Sequence, residues 1–215
     1  ARIGIVGHNG TGKSTLIKTI IGEYTPDKGS ITIGDTVNIG YFSQECESMD
    51  TSQRVIDYIK DTAENIQTND GIITAAKMLE RFLFTPELQW NKIEKLSGGE
   101  RKRLYLLKVL MTSPNILILD EPTNDLDIET LTILEDYLDK FNGAVIAISH
   151  DRYFLDKMAT EIWELSGSGI INRYNGNYSD YMENIKQNIA DFEQSKNHTE
   201  KKKRTFVGKK KLKFS

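Results

Sequence analysis

Cysteine is almost missing from the chain: Cys46 is its one thiol in 215 residues. No internal disulfide can form, which suits a reducing compartment and makes a cytoplasmic location the expectation. Cys46 itself reads as a loop residue rather than a nucleophile. Long apolar runs are missing too. The longest, such as residues 116–119 and 144–148, fall far short of the ~20 residues that cross a bilayer as a helix. No charged-then-apolar leader is present. The first residue is not Met and the chain opens directly on a strand-like run, so a fragment of a longer protein is expected. Its length allows one large domain, or one domain with a subdomain, around a substantial core.

Charge is unevenly spread. Residues 196–215 hold nine Lys/Arg against one acid, Glu200, whereas the other 195 residues carry 19 basic and 30 acidic side chains. An acidic body with a basic tail fits contact with nucleic acid or another acidic surface at one end, or a solvated linker.

The most informative stretch is Gly7-His8-Asn9-Gly10-Thr11-Gly12-Lys13-Ser14. It follows the β-branched run Ile3-Gly4-Ile5-Val6, and Leu16, Ile17, Ile20 and Ile21 recur after it at helical spacing. A glycine-rich turn between strand and helix cradles polyphosphate, because successive N–H groups and the positive helix end face the ligand. In that pattern Lys13 reaches the β- and γ-phosphates and the Ser14 hydroxyl ligates Mg²⁺.

Beyond a turn at Thr25-Pro26-Asp27-Lys28-Gly29, residues 30–33 and 37–42 read as an antiparallel hairpin around Gly34-Asp35, ending in Ser43-Gln44-Glu45. Residues 50–95 show helical spacing with no convincing strand. Leu96-Ser97-Gly98-Gly99-Glu100 then opens a strongly patterned helix that Ser113-Pro114 ends. Residues 116–119 are apolar throughout, as in a parallel strand buried on both faces, and deliver Asp120-Glu121 at their C-terminal end. A helix over about 128–140 leads to a second such strand, 144–148, ending in Ser149-His150-Asp151. Residues 161–165 and 169–174 read as a closing hairpin, and 178–196 as one exposed helix. Polar residues at neighbouring parallel strand ends place a site in the crevice beyond them.

The order of these features resembles the ATP-binding-cassette (ABC) ATPase domain, up to about residue 175. The fold expected is α/β: a P-loop NTPase with a parallel core sheet, a small antiparallel β subdomain and an inserted helical subdomain at about 50–112, followed by a C-terminal helix and basic linker tail over 176–215. The resemblance makes Gly7, Asn9, Gly10, Gly12, Lys13, Ser14 and Thr15 part of the Walker A loop, Gln44 the Q-loop glutamine, and Ser97, Gly98 and Gly99 the signature. It makes Asp120 the end of the Walker B strand, Leu126-Asp127 the D-loop and His150 the switch histidine.

The chemistry asks for the same residue types. Phosphoryl transfer from ATP to water needs charge neutralisation, a positioned water and exclusion of solvent. Lys13 and Mg²⁺ meet the first need, with Ser14, Asp120 and Gln44 as the metal shell. Glu121 orients or deprotonates the attacking water and His150 contacts the γ-phosphate; the competing readings are a solvated loop carboxylate and a packing histidine. By the resemblance, Ser97-Gly98-Gly99 serves ATP held by a second cassette, so a lone chain is expected to hydrolyse poorly. The family also stacks adenine on an aromatic residue well upstream of Walker A, and only six residues precede Gly7; weak nucleotide binding by this piece is the expectation.

Finer motifs narrow the branch. Glu121-Pro122-Thr123-Asn124-Asp125-Leu126-Asp127, Ser149-His150-Asp151-Arg152-Tyr153-Phe154-Leu155-Asp156 and Tyr174-Asn175-Gly176-Asn177-Tyr178-Ser179-Asp180-Tyr181 resemble the ABC-F family, tandem-cassette ATPases without transmembrane domains, many acting on the ribosome. Asp125 departs from the histidine common there. The basic tail resembles the lead-in to the coiled coil of Uup-like members, which implies a second cassette of a tandem protein. Ribosome or nucleic-acid partners follow from this resemblance. The alternatives are the ATP-binding subunit of a membrane transporter, or a degenerate cassette holding ATP structurally; intact Lys13, Glu121 and His150 argue against the last.

Overall fold

Residues 116–120, Ile-Leu-Ile-Leu-Asp, form the strand around which the rest is layered. Leu117, Ile118 and Leu119 are all fully buried, because successive side chains point to opposite faces and both faces are covered. The computed structural model describes residues 1–43, 49–68, 71–124, 126–167 and 169–188. Gln44, Cys46, Asp125 and the basic tail lie outside the described residues.

In chain order the elements are β1 (Arg2–Val6), α1 (Lys13–Ile20), β2 (Ile39–Phe42), α2 (Val55–Lys60), β3 (Asn65–Thr68), β4 (Gly71–Thr74), α3 (Ala75–Arg81), α4 (Pro86–Gln89), α5 (Gly98–Met111), β5 (Ile116–Asp120), α6 (Ile128–Lys140), β6 (Ala144–Ile148), α7 (Arg152–Met158), β7 (Glu161–Leu165) and β8 (Ile171–Asn175). A last helix, α8, runs over 178–188.

The main sheet has the order β2-β5-β6-β1-β7-β8. Its pairings are parallel except β7 with β8, the antiparallel hairpin expected from the sequence. Ile118 joins Ile5, Ile17, Ile148 and Leu165 beneath α1. Leu117 and Leu119 join the larger core formed with α2, α3, α5, α6 and α7.

Two local expectations change. Residues 30–38 form no strand, and residues 39–42 pair parallel with β5 rather than closing a hairpin. Asn38 explains the switch: its N–H donates to the Asn115 side chain, and its carbonyl accepts from the N–H groups of Asn115 and Ile116. These bonds tie the segment to the entry of β5. The small antiparallel sheet exists, but it is β3 with β4, inside the stretch expected to be mostly helical with no convincing strand. Ile66 and Ile73 face each other across it and are buried, while Ile72 is exposed. Strands of four residues are too short for that alternation to stand out.

The exit helix is less exposed than expected. Tyr181 is buried, its hydroxyl donates to Glu164 at 2.8 Å, and Asp156 on α7 accepts from the Ser179 N–H and hydroxyl.

Candidate active site

The parallel register gathers the polar strand ends. Asp120 lies opposite Ile148, and Ile148 opposite Ile5, so Glu121, Ser149-His150 and the Gly7 loop emerge beside one another. They bound a cleft of about 470 Å³ whose lining includes Asn9, Gly10, Gly12, Lys13, Ser14, Thr15, Asp120, Glu121, Asn124 and His150.

The loop is built around two glycines. A Cβ on Gly7 would sit 2.6 Å from the Leu165 carbonyl. Gly12 caps α1 at φ 92, in the left-handed region, and no side chain caps that helix. By contrast Ser97, Asp127 and Asp151 cap α5, α6 and α7 with their own oxygens. The first N–H groups of α1 are thus left for an anionic ligand. Lys13 is buried, and its Nζ donates to the carbonyls of Gly7 and His8 at 2.8 and 3.0 Å.

Across the cleft, Asp120 is 3% exposed. Oδ2 accepts from the Tyr41 hydroxyl at 3.4 Å, and Oδ1 has no partner among the described residues. Burial, and then the Asp120 carboxylate, push the Tyr41 hydroxyl well above the ordinary tyrosine range. A buried carboxylate oxygen without a donor, in a cleft that Ser14 also lines, is a hard oxygen of the kind Mg²⁺ takes. No group of three or more His, Cys, Asp or Glu side chains able to hold a metal is present among the described residues.

Glu121 is also buried, with φ 50. A non-glycine residue in the left-handed region carries strain of the kind that clusters at functional sites. Its Oε1 is 3.3 Å from His150 Nε2, and its Oε2 accepts from the His150 backbone N–H. The Ser149 hydroxyl, 2% exposed, meets Thr123 Oγ1 at 3.1 Å and accepts from the Asp151 N–H, linking the turns after β5 and β6.

Ser97, Gly98 and Gly99 do not line this cleft. They start α5, where Ser97 accepts from the Glu100 N–H and the Glu100 carboxylate accepts from the Ser97 N–H, a closed capping box. Those hydrogen bonds hold the Glu100 carboxyl below its ordinary range. Sequence reading assigns no site role to Tyr41, Asn124 or Ser149. They contribute through the strand register, which no local spacing reveals.

A parallel sheet carrying a glycine loop, a buried lysine and a carboxylate pair at adjacent strand ends defines a P-loop nucleotide-binding domain. Residues 1–124 match the ABC transporter family model, and the chain belongs to that family as an ABC ATPase cassette. It is 58% identical over 190 residues to the uncharacterized ABC transporter ATP-binding protein YfmR of Bacillus subtilis, covering 88% of this chain and 30% of that protein. It is 39% identical to ATP-binding protein Uup of Escherichia coli, covering 88% and 30%, and 42% identical to the energy-dependent translational throttle protein EttA of the same species, covering 88% and 34%. Uup and EttA are ABC-F proteins. The chain spans about a third of the length of these three relatives. Among solved structures, the ATP-binding subunit of an ABC transporter superposes with TM-score 0.67 at 17% identity, covering 80% of this chain and 78% of that one. A dimeric post-hydrolysis ATP-binding cassette bound to ADP and Pi gives 0.61 at 19%, covering 81% and 84%. Both likenesses concern the fold. No described helix is long and apolar enough to cross a membrane.

Proposed function

We propose that the chain binds and hydrolyses ATP as one cassette of a cytoplasmic ABC-F protein, the closing of paired cassettes being coupled to ribosome or nucleic-acid binding. The cassette is taken as residues 1–175, with a helical subdomain at about 50–112 and a C-terminal helix and basic tail over 176–215. The observation that carries the reading is the convergence of Lys13, Asp120, Glu121 and His150 on one cleft beyond the ends of three neighbouring parallel strands.

Lys13 leaves its carbonyl partners to neutralise the β- and γ-phosphates, while N–H groups of the loop and α1 accept the remaining phosphate charge. Ser14 and Asp120, with Gln44, would hold Mg²⁺, which when bound would supply positive charge to offset that developing on phosphoryl transfer. Glu121, already turned inward, orients or deprotonates the attacking water, and His150 holds its carboxylate in place and reaches the γ-phosphate. Ser97, Gly98 and Gly99, standing outside this cleft, serve the nucleotide of a second cassette, so one chain supplies two half-sites.

Lys13→Ala and Glu121→Gln test the reading with a fluorescent ATP analogue and phosphate release. Lys13→Ala is expected to lose nucleotide binding. Glu121→Gln is expected to keep it while turnover falls about 100-fold or more. Turnover that survives Glu121→Gln refutes the assigned role. Co-sedimentation of the Glu121→Gln chain with ribosomes and with membranes separates the ABC-F reading from a transporter subunit. ATP-dependent pelleting with membranes alone favours the transporter.

A further inference from the structure

A cation buried in a domain is costly unless its charge is answered, and Arg103 on α5 is such a case away from the nucleotide cleft. Its side chain is 11% exposed. The guanidinium sits over the Phe84 ring, 5.3 Å from its centroid, and Nη1 lies 4.0 Å from Asp127 Oδ2. Nε is buried and finds no acceptor among the described residues. Phe84 is itself fully buried in the core, so the plane on which the guanidinium rests is fixed.

Arg103 therefore stands between two helix starts. At the start of α5, Glu100 closes the capping box on the Ser97 turn; at the start of α6, Asp127 accepts from the Thr130 N–H at 2.8 Å. Both carboxyls are held low chiefly by these capping bonds, and the positive charge of Arg103 adds to the effect at each. Neither helix start touches the cleft formed by Lys13 and Glu121.

We infer that Arg103 is a positioning residue that fixes the spacing between the Ser97 turn and the start of α6, so that the Ser97 turn meets the nucleotide held by a second cassette as a preformed surface. This rests on the pairing reading under Proposed function. A residue that only filled core volume would be replaced adequately by methionine, which is also long, unbranched and apolar. A residue that sets spacing through charge would not. Asp127→Asn supplies the matching change at the other end, because asparagine still caps a helix but presents no charge to Arg103.

The test uses the 215-residue chain carrying Glu121→Gln, with Arg103→Met, Asp127→Asn and both together. Sedimentation velocity with ATP and Mg²⁺ reads association, and a fluorescent ATP analogue reads the chain's own cleft. Each single variant is expected to weaken ATP-dependent association about tenfold, with analogue affinity within about twofold of the parent. The double variant should be no weaker than the singles, since the two side chains act as a unit. Association unchanged by Arg103→Met, or analogue affinity falling in parallel with association, overturns the inference while leaving the pairing reading intact. If Arg103→Met does not fold, Asp127→Asn decides by the same criteria. A Glu121→Gln chain that never associates with ATP overturns the pairing reading, and this inference with it.

Discussion

Glu121 holds His150 at two points: Oε1 lies 3.3 Å from the imidazole Nε2, and Oε2 accepts from the His150 backbone N–H at the same distance. The carboxylate that ends β5 is thereby tied to the turn that ends β6. The geometry depends on the register that sets Asp120 opposite Ile148. A slip of one residue would turn every side chain of the strand to the other face and separate the pair.

The same residue is the more strained member. Glu121 buries a carboxylate and adopts φ 50, a conformation that asparagine tolerates better than glutamate. Glu121→Asn should therefore raise stability by about 1 kcal/mol, within the range left-handed strain costs, while abolishing turnover. Urea unfolding set beside phosphate release checks both. A variant less stable than the parent would show that the contacts to His150 outweigh the strain.

The turn around Ser149 offers a separate test. Its hydroxyl meets Thr123 and accepts from the Asp151 N–H, at the point where Asp151 caps α7. Ser149→Ala leaves buried polar groups without a partner, which costs about 1–3 kcal/mol. Turnover should fall with little change in ATP affinity, because His150 loses its support while the phosphate loop does not. Equal losses in affinity and turnover would argue that Ser149 supports the whole cleft.

Much of this site is legible in the sequence alone. The phosphate loop, the two buried strands ending in Asp120-Glu121 and Ser149-His150, and the Ser97 capping box each rest on local signals: glycine spacing, continuous β-branched and leucine runs, and a serine three residues before a glutamate. What is not legible depends on partners distant in sequence. The pull of Asn115 on Asn38 converts an apparent hairpin into a parallel strand, and Arg103 meets Asp127 and Phe84 only after α5 has packed. The strain at Glu121 is invisible for the same reason, since nothing in Asp-Glu-Pro dictates a left-handed backbone.

Alkaline pH should expose another feature. Burial pushes the Tyr137 hydroxyl up to about 12, and its ring stacks on Phe141 with centroids 5.8 Å apart. Because the folded chain holds this proton more tightly than the unfolded chain, whose tyrosines titrate near 10, the stabilisation is complete below pH 10. It is lost progressively between pH 10 and about 12. Tyr137→Phe should make the stability curve flatter in that window than the parent's, by about 2 kcal/mol at its upper end. Denaturant midpoints at pH 9, 10, 11 and 12 would show it; parallel curves would place the titration elsewhere.

Glu164 anchors the exit from the domain. Its two oxygens accept from the hydroxyls of Tyr181 and Tyr174 and from the Asn172 amide. The Tyr181 bond ties α8 to β7, the other two tie β8 to β7, and Tyr174 and Tyr181 meet edge to face at 5.0 Å. Replacing the carboxylate by leucine keeps apolar contact but leaves the buried Tyr181 hydroxyl without its acceptor, an unmade bond that costs about 1–3 kcal/mol. The loss should be local. Amide exchange over 178–188 should rise in Glu164→Leu while exchange in β1, β5 and β6 stays at the parent's rate, because local openings draw on contacts of the opening segment alone. If protection falls across the central strands as well, α8 is part of the cooperative core rather than an element docked on its edge.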